Sequence, residues 1–68
     1  MIYINDMPKP FREGMTLEEA FVENNMKTKG PFSIYVNDDV IYEEDYKTFI
    51  LHDEDDIQQV YNFFAEAH

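Results

Sequence analysis

The sequence predicts one small α+β domain, a mixed sheet of four or five strands packed on one main helix. Three observations predict it. Apolar residues alternate with polar ones around Ile2 and Ile4, and again through Phe32, Ile34 and Val36, which is the period of a half-buried strand. A capping box at Thr16–Glu19 opens a run with helical spacing. The signals come in the order strand, strand, helix, strand, strand, terminal segment.

In the first strand Ile2 and Ile4 share one face, and Tyr3 and Asn5 the other. Asn5-Asp6 is a turn signal. Met7 to Arg12 returns, but Pro8 and Pro10 restrict it to an edge strand or an irregular arm. Glu13-Gly14 turns the chain again. In Thr16-Leu17-Glu18-Glu19 the Thr16 hydroxyl and the Glu19 carboxylate can each satisfy the other residue's backbone N–H. Leu17, Ala20 and Phe21 then line one helical face, while Glu18, Glu19 and Glu23 face solvent. Glu18 and Glu19 also complement the helix dipole. Asn24-Asn25 weakens the helix, and Gly30-Pro31 ends any continuation.

Phe32, Ile34 and Val36 form the inner side of the next strand. Asn37-Asp38-Asp39 is a hairpin-like turn, and Val40-Ile41-Tyr42 the return strand. Glu43 to Tyr46 suits a turn or a single helical turn. Thr48 to Leu51 is a short apolar run, and His52 to Asp56 a solvated turn. The last segment reads two ways. Ile57, Val60, Tyr61 and Phe64 have helical spacing, whereas Tyr61, Phe63 and Phe64 favour a strand. A strand here needs a bulge or leaves one apolar residue outward, because Ile57 and Val60 are an odd number apart. Ile2, Ile4, Leu17, Phe21, Ile34 and Val36 are the expected core.

The chain has 68 residues, enough for a single domain over 1–68 with a short flexible tail from about residue 65. A domain of this size buries only about 60% of its unfolded surface. It contains no cysteine, so disulfides, thiol catalysis and Cys-based metal sites are excluded. Stability must come from apolar packing. Six phenylalanines and five tyrosines supply it, each removing roughly 150–250 Å² from water. The four methionines form no stripe and read as gap-fillers or surface residues.

The formal charge is −10, from 15 acidic and 5 basic residues. Nucleic acid is not an expected partner, because phosphate neutralisation needs clustered Lys and Arg. An anionic membrane surface is disfavoured for the same reason. A basic protein partner is compatible, and opposite charge would speed encounter more than tighten the complex. The charge also serves solubility. No apolar run approaches the ~20 residues of a membrane span, and there is no signal-peptide pattern. The expected location is the cytoplasm.

Candidate chemistry is sparse. The run Asp53–Asp56 departs from a calcium loop, with Ile57 at the fifth position and no glycine at the sixth. It reads as a solvated turn. His52 and His68 match no metal-ligand spacing; His52 reads as a turn residue and His68 as a mobile terminus. Ser33 and Thr48 lack a nucleophile-elbow context, and no glycine-rich loop precedes the helix. No cofactor, metal site or catalytic residue is expected, and the protein is not expected to be an enzyme. Tyr3, Tyr35 and Tyr61, with Phe63 beside them, are candidates for an aromatic docking surface on the solvent side of the sheet; ordinary cross-strand packing is the alternative.

Several segments resemble one family in order. Met1-Ile2-Tyr3-Ile4-Asn5-Asp6 resembles the opening strand of the ThiS/MoaD sulfur carriers, which have the ubiquitin-like β-grasp fold. Gly14-Met15-Thr16-Leu17 resembles the approach to their helix, and Phe32-Ser33-Ile34-Tyr35-Val36-Asn37 their third strand. Asp38-Asp39-Val40-Ile41 resembles the turn and return strand that follow. Leu51-His52-Asp53-Glu54-Asp55-Asp56-Ile57 resembles the loop before their last strand. The match spans nearly the whole chain and favours a strand after Ile57. It implies a β-grasp fold and a role in sulfur transfer of the kind that serves thiamine or molybdopterin synthesis. The implied partners are an E1-like adenylating enzyme or a sulfur-accepting synthase. Family members carry sulfur on a C-terminal Gly-Gly, where the absence of Cβ lets the tail thread a narrow channel. This sequence departs from that pattern. It runs Phe64-Ala65-Glu66-Ala67-His68, and its two glycines are Gly14 and Gly30. Ala65, Glu66, Ala67 and His68 would form the carrier tail, with the His68 carboxylate as the group to be activated. A catalytically silent interaction or regulatory module is the competing expectation.

Overall fold

A computed structural model describes residues 1–62. Its elements are β1 (Ile2–Ile4), β2 (Met7–Lys9), α1 (Leu17–Glu23), β3 (Phe32–Val36), β4 (Asp39–Ile41), a 3₁₀ turn (Glu43–Asp45) and β5 (Asp56–Tyr61). The five strands form one sheet in the order β2-β1-β5-β3-β4. The pair β1–β5 is parallel, and the other three pairs are antiparallel. One mixed sheet on one helix is the expected architecture, with five strands.

Both hairpins use the same local chemistry. Asn5-Asp6 joins β1 to β2 with φ of 50° and 71°, and Asn37-Asp38 joins β3 to β4 with 51° and 73°. Two consecutive left-handed residues make a type I′ turn, whose twist matches that of the flanking strands. The second turn is therefore two residues long, and Asp39 pairs with Val36 as the first residue of β4.

The capping box forms as expected. The Glu19 N–H donates to Thr16 Oγ1 at 3.2 Å, and the Thr16 N–H to Glu19 Oε1 at 2.9 Å. The remaining N-terminal donors go to the connection between β4 and β5. The Leu17 N–H reaches the Phe49 carbonyl, and the Glu18 N–H reaches that of Tyr46. All four N–H groups that the helix itself leaves free are thus satisfied. The helix ends at Asn24, six residues before Gly30. Asn25 takes φ 56°, the Met26 N–H bonds to the Phe21 carbonyl, and the Asn25 N–H bonds to that of Val22. This is a Schellman stop, with Asn where Gly is usual.

The core lies on one side of the sheet. Ile2, Ile4, Ile34, Val36 and Ile57 point from the strands toward Leu17, Ala20 and Phe21 of α1. Met15, Tyr46 and Leu51 complete it. All six expected core residues are in this cluster. Tyr46 is a partner the sequence did not reveal. Its ring meets Phe21 edge to face at 5.4 Å between centroids. Met15 is buried, whereas Met1 and Met7 are exposed.

Residues 57–61 are a strand, with no helical turn and no bulge. The helical spacing of Ile57, Val60 and Tyr61 is overridden by pairing. β5 fills the slot between β1 and β3 and hydrogen-bonds to both. Ile57 is buried and Val60 is outward, which is the outcome with one exposed apolar residue.

Candidate docking face

The side of the sheet away from α1 contributes nothing to the buried core. Strand alternation decides what it displays. With Ile2, Ile4, Ile34, Val36 and Ile57 inward, Tyr3, Ser33, Tyr35, Asp56, Gln58 and Val60 face outward. Register sets them side by side. Tyr3 lies opposite Asp56, Tyr35 opposite Gln58 and Ser33 opposite Val60. Val40 of β4 lies opposite Tyr35, and Pro8 of β2 opposite Tyr3. Val40 and Val60 are 42% and 48% exposed, and the two tyrosines are half-buried.

Polar groups on this face are tied together. The Gln58 side-chain amide donates to Asp56 Oδ1 at 3.0 Å and to Asp6 Oδ1 at 3.1 Å. Two carboxylates therefore share one neutral donor between the two tyrosines. The face is braced by hydrogen bonds at its β3–β5 end. There Asn37 Nδ2 donates to Asp55 Oδ1 at 2.9 Å, and Asn37 Oδ1 accepts the Asp56 N–H at 3.0 Å. Asp55 Oδ2 takes the His52 N–H at 2.8 Å.

Asp55 corrects the reading of residues 53–56 as a wholly solvated turn. Its side chain is 7% exposed, because it braces the loop before β5 against the β3–β4 turn. Asp53 and Glu54 are exposed and pair with the Met1 amino group. This holds the Asp53 carboxyl below its ordinary value through its hydrogen bond to the amino group, and raises the amine. His52 is exposed in the turn. Among the described residues no group of three or more His, Cys, Asp or Glu is placed to hold a metal ion.

The proposed aromatic set is divided. Tyr3 and Tyr35 share the open face. Tyr61 does not join them: it is four residues from Ile57 and so shares the inward side of the pleat. It lies opposite Phe32 and packs on it edge to face at 5.4 Å. Phe63, and the tail residues Ala65, Glu66, Ala67 and His68, lie outside the described residues. Gln58, Asp56 and Val60 belong to the face but were not singled out from sequence. Once 57–61 is read as a strand, the position of Ile57 assigns all three.

A concavity lies near the start of α1, lined by Glu18, Thr28, Lys29, Glu43, Tyr46 and Lys47. Its charges are of both signs, and Lys29 pairs with Glu43 at 3.6 Å. No helix of the described residues is long and apolar enough to cross a membrane.

No protein-family model and no curated protein matches the chain. Among solved structures, it is similar to the crystal structure of the thiamine biosynthesis protein ThiS from Geobacter metallireducens, with a TM-score of 0.74 and 16% identity. The likeness covers 88% of this chain and 90% of that one. It establishes a ThiS-like fold, the α+β ubiquitin-like β-grasp.

Proposed function

We propose that this chain is a sulfur-carrier-type β-grasp protein that acts in the cytoplasm by docking on a partner enzyme and is not itself a catalyst. The partner is an E1-like adenylating enzyme or a sulfur-accepting synthase. The ThiS-like fold carries this reading. Tyr3, Tyr35, Val40 and Val60, on a sheet face that no other described element covers, support it, since they combine apolar surface with the tyrosines that interfaces favour.

In carriage of this type a C-terminal carboxylate is the group activated. Attack of that carboxylate on the α-phosphate of ATP releases pyrophosphate and forms an acyl-adenylate. Sulfide from a donor then attacks the acyl carbon, and the C–S bond of a thiocarboxylate forms as the bond to phosphate breaks and AMP leaves. The test is intact-mass spectrometry after incubation with ATP, a sulfur donor and an E1-like enzyme that converts a Gly-Gly homologue. The expected product carries the mass gain of one oxygen replaced by sulfur. An unchanged mass rules out carriage by this chain.

The open sheet face, which docking alone would use, also supports a second reading, a catalytically silent interaction module. It predicts the unchanged mass together with retained binding to the enzyme, measured in the same mixture by size-exclusion chromatography.

A further inference from the structure

The chain's positive charges are placed unevenly. Lys9 lies opposite Ile2, on the inward side of the pleat. Arg12, Lys27, Lys29 and Lys47 lie in the connections β2–α1, α1–β3 and β4–β5. None of the five basic side chains occupies an outward strand position on the open face.

Elsewhere among the described residues, Glu19, Glu23, Glu43, Asp53 and Glu54 meet cations of the same chain. Arg12 Nη1 donates to Glu23 at 2.8 Å and Arg12 Nη2 lies 3.7 Å from Glu19. Lys29 pairs with Glu43, and the Met1 amine with Asp53 and Glu54. On the open face, Asp6 and Asp56 are met by the neutral Gln58 amide. Each keeps a second carboxylate oxygen for a further donor. Tyr3 and Tyr35 supply ring surface on either side of β5.

We propose that the open face docks a basic protein surface and seats one of its arginines on the Asp6–Asp56 pair, with Tyr3 and Tyr35 as aromatic flanks. The chemistry selects arginine over lysine. A guanidinium is planar and weakly hydrated, can bond carboxylate oxygens in a fork and can stack on tyrosine, whereas an ammonium is a hydrated point charge. This inference rests on the docking reading and specifies the partner's chemistry.

The probe is an acetylated and amidated tetra-arginine peptide, titrated into ¹⁵N-labelled protein with tetra-lysine in parallel. Shifts should centre on Tyr3, Asp6, Tyr35, Asp56 and Gln58, and tetra-arginine should bind more tightly than tetra-lysine. The double variant Asp6→Asn/Asp56→Asn should weaken binding about tenfold or more, as expected for the loss of charge-assisted contacts. Glu43→Gln/Glu44→Gln, on the connection after β4, should leave it unchanged. Preserved amide dispersion shows that the variants fold.

Shifts centred on Glu43–Asp45 or Asp53–Glu54, equal binding of the two peptides, or unchanged affinity in the Asp6/Asp56 variant would overturn the proposal. The docking reading fails separately. An E1-like enzyme that still binds the Asp6/Asp56 variant at full strength leaves docking intact and removes the arginine contact. An enzyme that binds neither form removes the docking reading.

Discussion

Tyr46 shows how one side chain can link packing to pH. Its ring is 5% exposed and lies edge-on to Phe21, and its carbonyl takes the Glu18 N–H at the start of α1. Burial, with Glu43 nearby, raises the phenol above its ordinary value of 10.0. The fold therefore favours the neutral phenol. That contribution is complete below the unfolded value and is lost as pH rises through the higher folded value. The melting temperature should fall as the solution is made alkaline beyond pH 10.0. Tyr46→Phe keeps the ring contact and removes the titrating group, so its alkaline limb should be flatter than wild type. Differential scanning calorimetry across the alkaline range checks both.

The two hairpins carry their conformation in two residues each. Asn and Asp tolerate the left-handed region because their short polar side chains bond locally, while other L-residues incur roughly 1–2 kcal/mol there. Asp38 is the clean place to measure this, since Asp6 also serves Gln58 and Asn37 also braces Asp55 and Asp56. Asp38→Ala should destabilise by about 1 kcal/mol. Asp38→Gly, which completes the preferred Asn-Gly turn, should be at least as stable as wild type. Urea denaturation gives the ordering directly, and an alanine variant as stable as the glycine one would contradict a strained type I′ turn. Helix α1 is less self-sufficient than the hairpins. It has seven residues, shorter than isolated helices need to persist in water. Its cap, its Schellman stop and the two carbonyls from the β4–β5 connection hold its ends. Packing holds its face.

At the scale of the whole molecule, the protein is a thin sheet with one side buried. Phe21 sits at the centre of that side, buried against Tyr46 within the cluster formed by strands, helix and connection. Phe21→Ala should cost roughly 3–5 kcal/mol, a large share of what so small a domain holds in reserve. Chemical denaturation should show either a much lower midpoint or no cooperative transition. A loss within ordinary surface values would mean that the helix does not bear on the sheet as described. Among the described residues no element covers the opposite side. The outward residues Tyr3, Tyr35, Val40 and Val60 cost the fold little and give the face its apolar content.

The amino-acid sequence by itself determined the local pieces: the inward pairs Ile2/Ile4 and Ile34/Val36, the Asn-Asp turns and the capped start of α1. Each depends on covalent neighbours within four residues, so alternation and capping chemistry suffice. Tertiary structure decided the rest. Residues 57–61 have evenly balanced local patterns, and two flanking strands with unfilled hydrogen-bond edges made them β5. That choice placed Tyr61 on Phe32, away from Tyr3 and Tyr35, and brought Gln58 between Asp6 and Asp56. Asp55 and Tyr46 became buried through partners 18 and 25 residues away. Contacts at that separation arise only when the sheet closes, which is why local pattern could not show them.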